Sequence, residues 1–378
     1  MKLPPSSVGE DVKIRSRRTG FSYWPAGHGK RRDKLQSTLF ASDPWFLVNQ
    51  AVGRISDDTA RNQGEAFVRQ ARDFYTAADN SNVAAAKPLL LYYAFLNLAK
   101  ALVVFSSDTA IVGTVKHGLS EKLPTTAGAI HGEISITTND PNTAYALFSK
   151  TLGWALPLAT HPATTVRVRS QDFLSQVLVG HRVFCQSEDL IERFVSLEEI
   201  QYRHDPATRQ LWLRARLFED DLKRLGYSRK ELANALKRAG VWKNVRCDLE
   251  HDGRQLAEIE QVARTPYADR ALDKLNELSA AVRPALWRSV TAFPPYRKYY
   301  VYFASASQVI LHQLLGIYIS TYYFGSITRY KPESWDGILR SKLGPFVNEF
   351  FSNQPAQFLY LIASEFQRQE TTRAAIVA

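Results

Sequence analysis

Cysteine is nearly absent: the 378 residues hold only Cys185 and Cys247, and neither belongs to a Cys-x-x-Cys pair. That argues against a disulfide framework or a structural zinc site and fits a reducing cytosol. The eight histidines are scattered, with no cluster at ligand spacing, so no metal is expected. There is no Gly-rich phosphate loop followed by Lys-Ser/Thr, no GxGxxG after a strand, no HExxH and no GxSxG elbow, so no cofactor is implied. Internal repeats are missing as well. So is the apolar core of a signal peptide, since Met1-Lys2-Leu3-Pro4-Pro5 leads into polar sequence. The expectation is a soluble, cytoplasmic protein with no membrane partner.

Long apolar runs are also scarce, and the most informative one is residues 88–105, Pro-Leu-Leu-Leu-Tyr-Tyr-Ala-Phe-Leu-Asn-Leu-Ala-Lys-Ala-Leu-Val-Val-Phe. Pro88 suits a first helical turn, and Tyr93, Asn97 and Lys100 at i, i+4 and i+7 share one face. An ammonium in an apolar helix is costly unless something pairs with it. Three readings compete. The run is close to the lower length for a membrane span, but Pro88, Asn97 and Lys100 argue against one. Lys100 can snorkel from a buried helix while Asn97 bonds a neighbouring loop. Alternatively Tyr93, Asn97, Lys100 and the following His117 line one polar pocket.

Charge is unevenly spread. Residues 1–34 carry nine Lys and Arg against Glu10, Asp11 and Asp33, more than half of the net +11. With Phe21, Tyr23, Trp24 and several glycines, this arm has the composition of a phosphate-binding, base-stacking segment. Its candidate nucleic-acid contacts are Arg15, Arg17, Arg18, Trp24, Lys30, Arg31 and Arg32. The competing reading has the aromatics pin the arm to its own body or to a sister subunit.

The patterning predicts a mainly α fold, a multi-helix core with a small β-containing insertion in the middle of the chain. Residues 1–38 are read as the basic arm, 39–130 as the first part of the helical core, 131–216 as an α+β insertion and 217–378 as the second part. Ser42-Asp43-Pro44 is a helix start, and 58–78 is amphipathic. Residues 133–138, 165–169 and 210–216 alternate as strands do. Ser228-Arg-Lys-Glu231 is a capping box that opens a basic helical piece closed by Gly240. Docking that piece on DNA would resemble a helix-turn-helix, with no half-site logic in support.

Two resemblances follow. Arg246-Cys-Asp-Leu-Glu-His251 matches the Arg-x4-6-His spacing of HEPN ribonucleases. In those enzymes the histidine transfers a proton at the scissile phosphate and the arginine stabilises the anion. His117-Gly118, after a helical hairpin, is the second catalytic candidate.

Taken together, Lys87-Pro-Leu-Leu-Leu-Tyr-Tyr-Ala-Phe-Leu-Asn-Leu-Ala-Lys100, His117-Gly118-Leu119 and Ser326-Ile-Thr-Arg-Tyr-Lys-Pro-Glu-Ser-Trp335 resemble the YaaC-like family of bacterial proteins over about residues 40–365. The resemblance implies a mostly helical cytosolic protein, with Asn97, Lys100, His117, Arg329, Tyr330 and Trp335 able to converge. It brings no established catalytic residues. Arg329 suits a carboxylate or phosphate, or it can pair with Glu333 or Glu349.

The leading expectation is a nucleic-acid- or nucleotide-binding protein of bacterial anti-phage defence, able as a HEPN-like enzyme to cut RNA without a metal. The alternative is a non-catalytic assembly subunit. In that reading Tyr299, Tyr300, Tyr302, Tyr322, Tyr323 and Phe324 form oligomer or protein-partner contacts.

Overall fold

The structure is a computed structural model describing residues 8–14, 17–25, 38–81, 85–126, 128–154, 165–294 and 298–373, with backbone alone at Ile14, Arg17, Arg229 and residues 244–249. The chain forms two compact units interleaved along the sequence. Unit 1 is Met1–Phe40, Ile191–Ile310 and Arg368–Ala378, and unit 2 is Ala41–Leu190 and Leu311–Gln367.

Unit 2 is mostly helical. Asp43 and Asp57 act as N-caps for the helices Pro44–Val52 and Asp58–Asp79, accepting from the amides of Trp45 (2.9 Å) and Ala60 (2.6 Å). Gly64 lets the second helix lie close to its neighbours, because a Cβ there would come within 2.9 Å of Val52. The central helix Ala86–Ser107 buries Leu91, Phe95, Leu98 and Leu102, and Phe95 stacks on Phe358 of the helix Gly344–Gln367 at 3.9 Å. It is the one described helix long and apolar enough to cross a membrane, yet 67% of that apolar window is buried inside the protein. Its hydrophobicity serves the core.

The helix Gln313–Tyr330 starts at His312, whose Nδ1 accepts from the Leu314 amide at 3.1 Å, so this buried histidine is an N-cap. A three-stranded antiparallel sheet, Leu119–Lys122, Glu133–Thr137 and Thr165–Arg169, completes the site-bearing part. It turns Ile134, Ile136 and Val168 inward.

Unit 1 corrects the expected fold class. It is built on β structure: a six-stranded antiparallel sheet in the order Glu10–Asp11, Glu199–Asp205, Gln210–Phe218, Arg254–Gln261, Trp242–His251, with Thr265–Pro266 pairing onto Gln210–Leu211. A second sheet joins Val290–Phe293, Lys298–Tyr302 and Phe194–Ser196. The helices Arg229–Ala239 and Ala271–Ser289 accompany them, the first with the capping box in place. Strands therefore run through the segment expected to be a second helical core, and the protein is not mainly α with a small β insertion. The cause is local. Arg254-Gln-Leu-Ala-Glu-Ile-Glu-Gln261 is rich in good helix formers, and strand pairing overrode that preference.

The same sheet explains how unit 1 carries charge. Leu211, Leu213, Ala215 and Leu217 alternate with Trp212, Arg214 and Arg216, and all are buried. Across the register Arg214 faces Gln201 and Glu260, and Arg216 faces Glu199 and Glu258. Arg214 binds Glu199 at 2.6 Å and Glu258 at 3.3 Å. Arg216 binds Glu258 at 2.8 Å and Glu199 at 3.6 Å. Burial, reinforced by neighbouring Arg216, pushes Arg214 down to about 10, still charged at neutral pH.

Breaking such a network leaves an uncompensated buried cation. Glu258→Ala is expected to cost about 3–5 kcal/mol in urea unfolding. Glu258→Leu combined with Arg216→Met should cost much less, since Glu199 remains for Arg214. Equal losses would refute the ionic account.

Candidate functional site

His117 lies between the central helix and the small sheet, and the backbone around it is fixed first. The amides of Ala144 and Tyr145, at the open N-terminus of the helix Ala144–Thr151, donate to the carbonyls of Lys116 (2.8 Å) and His117 (3.2 Å). Gly118 follows at φ +78, with Thr143 so close that a Cβ would sit 2.3 Å from its hydroxyl. Glycine is required at that turn.

The side chain is held next. Tyr92 Oη lies 2.5 Å from His117 Nδ1. Burial raises the Tyr92 hydroxyl far above the ordinary tyrosine range, so it keeps its proton. When that proton is donated to Nδ1, the ring's own proton sits on Nε2, which is then free to donate. Tyr92 is itself packed by Tyr318 (5.8 Å) and Tyr322 (5.1 Å) of the helix Gln313–Tyr330. The Tyr322 hydroxyl donates to the Glu121 carboxylate, with Leu119 O also within 3.2 Å of it.

Burial, then the charges of Lys100 and Arg329, lower the His117 pKa, and Glu121 opposes them. His117 is thus neutral at pH 7 and flanked by cations. Lys100 is half-buried, with its ammonium 5.6 Å from the Phe67 ring, and burial lowers its pKa. Arg329 is exposed, 4.9 Å over the Tyr330 ring. Neither cation makes a hydrogen bond or ion pair with any described residue. Arg329 is therefore not paired with Glu333 or Glu349. Two cations without an ionic partner among the described residues, with an imidazole between them, have the chemistry to attract an anion.

The remaining sequence candidates are distributed elsewhere. Asn97 is satisfied within its own helix, donating to Tyr93 O at 3.0 Å. Tyr93 stacks on Phe74 at 5.4 Å, so the shared face of Tyr93, Asn97 and Lys100 runs along the helix Asp58–Asp79. Trp335 is 1% exposed and packs on Phe324 and Phe351, in the core. Tyr302, Tyr323 and Phe324 are buried in the interior, and Tyr299, Tyr300 and Tyr322 are half-buried.

Arg246 and His251 stand on the strand Trp242–His251, in register with Glu258 and Arg254, instead of on successive turns of a helix. His251 Nε2 lies 3.6 Å from its neighbour Asp252. Among the described residues no group of three or more His, Cys, Asp or Glu is placed to hold a metal.

Of the basic arm, Arg15, Lys30, Arg31 and Arg32 lie outside the described residues, and only the backbone of Arg17 is described. Arg18 pairs with Asp11 and Glu199, both at 2.8 Å. Trp24 is buried with Arg283 5.4 Å over its ring, and Tyr23 stacks on Trp287 at 3.7 Å with its hydroxyl on Val290 O. These aromatics belong to the core of unit 1.

Tyr92, Tyr318 and Glu121 were not singled out from the sequence, and Tyr322 was read there as a partner contact rather than as part of this site. The i, i+4 pair Tyr318 and Tyr322 was the one available signal.

Fold and site together define a two-unit α+β protein with a cationic, histidine-centred site in its helical unit. The chain belongs to the YaaC-like family, described as YaaC-like Protein, whose family model matches residues 33–366. No curated protein and no solved structure matches it.

Two measurements test the site and the arm. Because the fold holds the His117 pKa below its unfolded value, its stabilising effect is complete above pH about 6.5 and is lost as pH falls through the folded value. In an NMR titration Lys100→Met or Arg329→Met should move the His117 midpoint up, and Glu121→Gln should move it down. A midpoint indifferent to all three would remove the electrostatic account. Tyr23→Ala is expected to cost about 3–5 kcal/mol of stability, as for other large buried aromatics, measured by chemical denaturation. A loss below about 1 kcal/mol would show the arm to be loosely held.

Proposed function

We propose that this protein is a cytosolic binding protein for phosphate-bearing ligands, nucleotides or nucleic acid, which seat a phosphate at His117 between Lys100 and Arg329. The observation that carries the reading is that both cations lack any ionic or hydrogen-bonded partner among the described residues, on either side of a neutral histidine. In unit 1 the buried Arg214 and Arg216 have Glu199 and Glu258 instead. Leaving an ammonium half-buried and unpaired costs free energy, and an incoming anion removes that cost.

The neutral imidazole adds an N–H without a second buried charge. Tyr92 and the Tyr322–Glu121 pair hold its ring in place, so little ordering is left for the ligand to impose. Strand cleavage through Arg246 and His251 is not part of this reading, because that spacing lies on a strand.

Isothermal titration with nucleoside monophosphates and inorganic phosphate tests the reading. His117→Ala should weaken binding about tenfold, the value of one charge-assisted hydrogen bond, and Lys100→Ala should weaken it less, as a charge acting from farther along the helix. Added salt should weaken the wild type more than Lys100→Ala. Wild-type protein without affinity for either ligand at low salt would overturn the proposal.

A further inference from the structure

The two cations do not stand at one point. Gly325 lies against Pro88 and Leu89, a Cβ there falling 3.5 Å from Pro88 O, whereas Tyr322 and Tyr318 meet Tyr92. Later residues of the Gln313–Tyr330 helix thus face earlier residues of the central helix, and the two run antiparallel. Lys100 is eight residues beyond Tyr92, and Arg329 is seven beyond Tyr322. At 1.5 Å per residue the first stands about 12 Å along the seam in one direction and the second about 10 Å in the other. The backbones of the two cations are therefore on the order of 20 Å apart, with His117 near the middle. One phosphate cannot occupy both ends, but a chain of phosphates can.

Aromatic rings accompany the cations. Tyr330, beneath Arg329, is 54% exposed, the Phe67 ring beneath Lys100 is half-exposed, and Tyr93 is half-exposed beside Tyr92. Cations tracking a backbone, interleaved with accessible rings, are what unpaired bases and their phosphates use together. A duplex would leave the rings idle, because its bases already stack on one another.

We infer that the ligand of unit 2 is a single-stranded nucleic acid crossing the half-exposed stripe of the central helix, from Arg329 and Tyr330 past His117 to Tyr93, Lys100 and Phe67 on the side of the helix Asp58–Asp79. The inference rests on the phosphate-binding reading above and specifies the polymer. The strand's phosphates meet Arg329, the His117 Nε2–H and Lys100 in turn, and its bases lie on Tyr330, Tyr93 or Phe67. No bond is made or broken.

Fluorescence anisotropy with labelled oligouridylate and oligothymidylate, from the mononucleotide to about a hexamer, tests this over a salt series. The hexamer is expected to bind at least about tenfold more tightly than the mononucleotide. The slope of log affinity against log salt should fall by about 1.4 in the Lys100→Gln/Arg329→Gln double variant, about 0.7 for each single-strand phosphate that is no longer neutralised. Tyr330→Ala, at an exposed position with little bearing on folding, should lower hexamer affinity about tenfold and spare the mononucleotide.

Equal affinity at all lengths, with His117 dependence retained, would overturn the strand and leave the phosphate site standing. An unchanged salt slope in a folded double variant, or duplex binding as tight as single-strand binding, would also overturn it. Failure to bind either mononucleotide or hexamer would remove both readings.

Discussion

The antiparallel packing of Ala86–Ser107 against Gln313–Tyr330 is the contact on which the site in unit 2 depends. It brings Tyr318 and Tyr322 onto Tyr92, and Tyr92 onto His117. Because the helices run in opposite directions, it also sends Lys100 and Arg329 to opposite sides of the histidine. The loop bearing His117 answers the same geometry from below, anchored by its carbonyls to the N-terminus of the helix Ala144–Thr151. A shift of one helical turn along that seam would part Tyr92 from His117 and regroup the cations.

Two clusters, one in each unit, treat charge in opposite ways. In unit 1, Arg214 and Arg216 lie on a sheet face whose register sets Glu199 and Glu258 opposite them, so the cost of dehydrating four ions is met by their mutual pairing. In unit 2 the half-buried Lys100 has a phenyl ring beneath it and no carboxylate, and Arg329 rests on a tyrosine. The first arrangement is complete in itself and structural. The second has no anionic partner among the described residues. Membership of the YaaC-like family, over residues 33–366, spans parts of both units and does not discriminate between these roles.

Much of unit 2 could be read from the chain. Asp43 followed by Pro44 marked a helix start, Ser228 with Glu231 a capping box in unit 1, and the apolar run from Pro88 a core helix, because such signals are local. Lys100, His117 and Arg329 were also legible, as cations and a histidine out of keeping with apolar surroundings. Asn97 was a misleading neighbour, since a helical asparagine can satisfy itself on the carbonyl four residues back. Trp335 was another, its ring being core material. Tyr92 was missed although it adjoins Tyr93, because one residue is a 100° rotation on a helix and only the partner helix shows which side matters. The strands at 242–261 were missed because their Glu, Arg, Lys and Gln residues favour helix when isolated.

The sequence by itself determined a chain with few cysteines and no recognised catalytic motif, its helix starts and caps, its one long apolar core helix and the cations that core leaves in place. These follow from spacing and composition within a few turns of chain. Only the tertiary structure decided that the basic arm's Tyr23 and Trp24 are core, that the Arg246 and His251 spacing lies on a strand, and that unit 1 is built on sheets. It alone decided that Tyr92 rather than Tyr93 holds His117. Each of these depends on which distant residue stands opposite, through strand register or helix direction, and a local pattern holds no information about residues a hundred or more positions away.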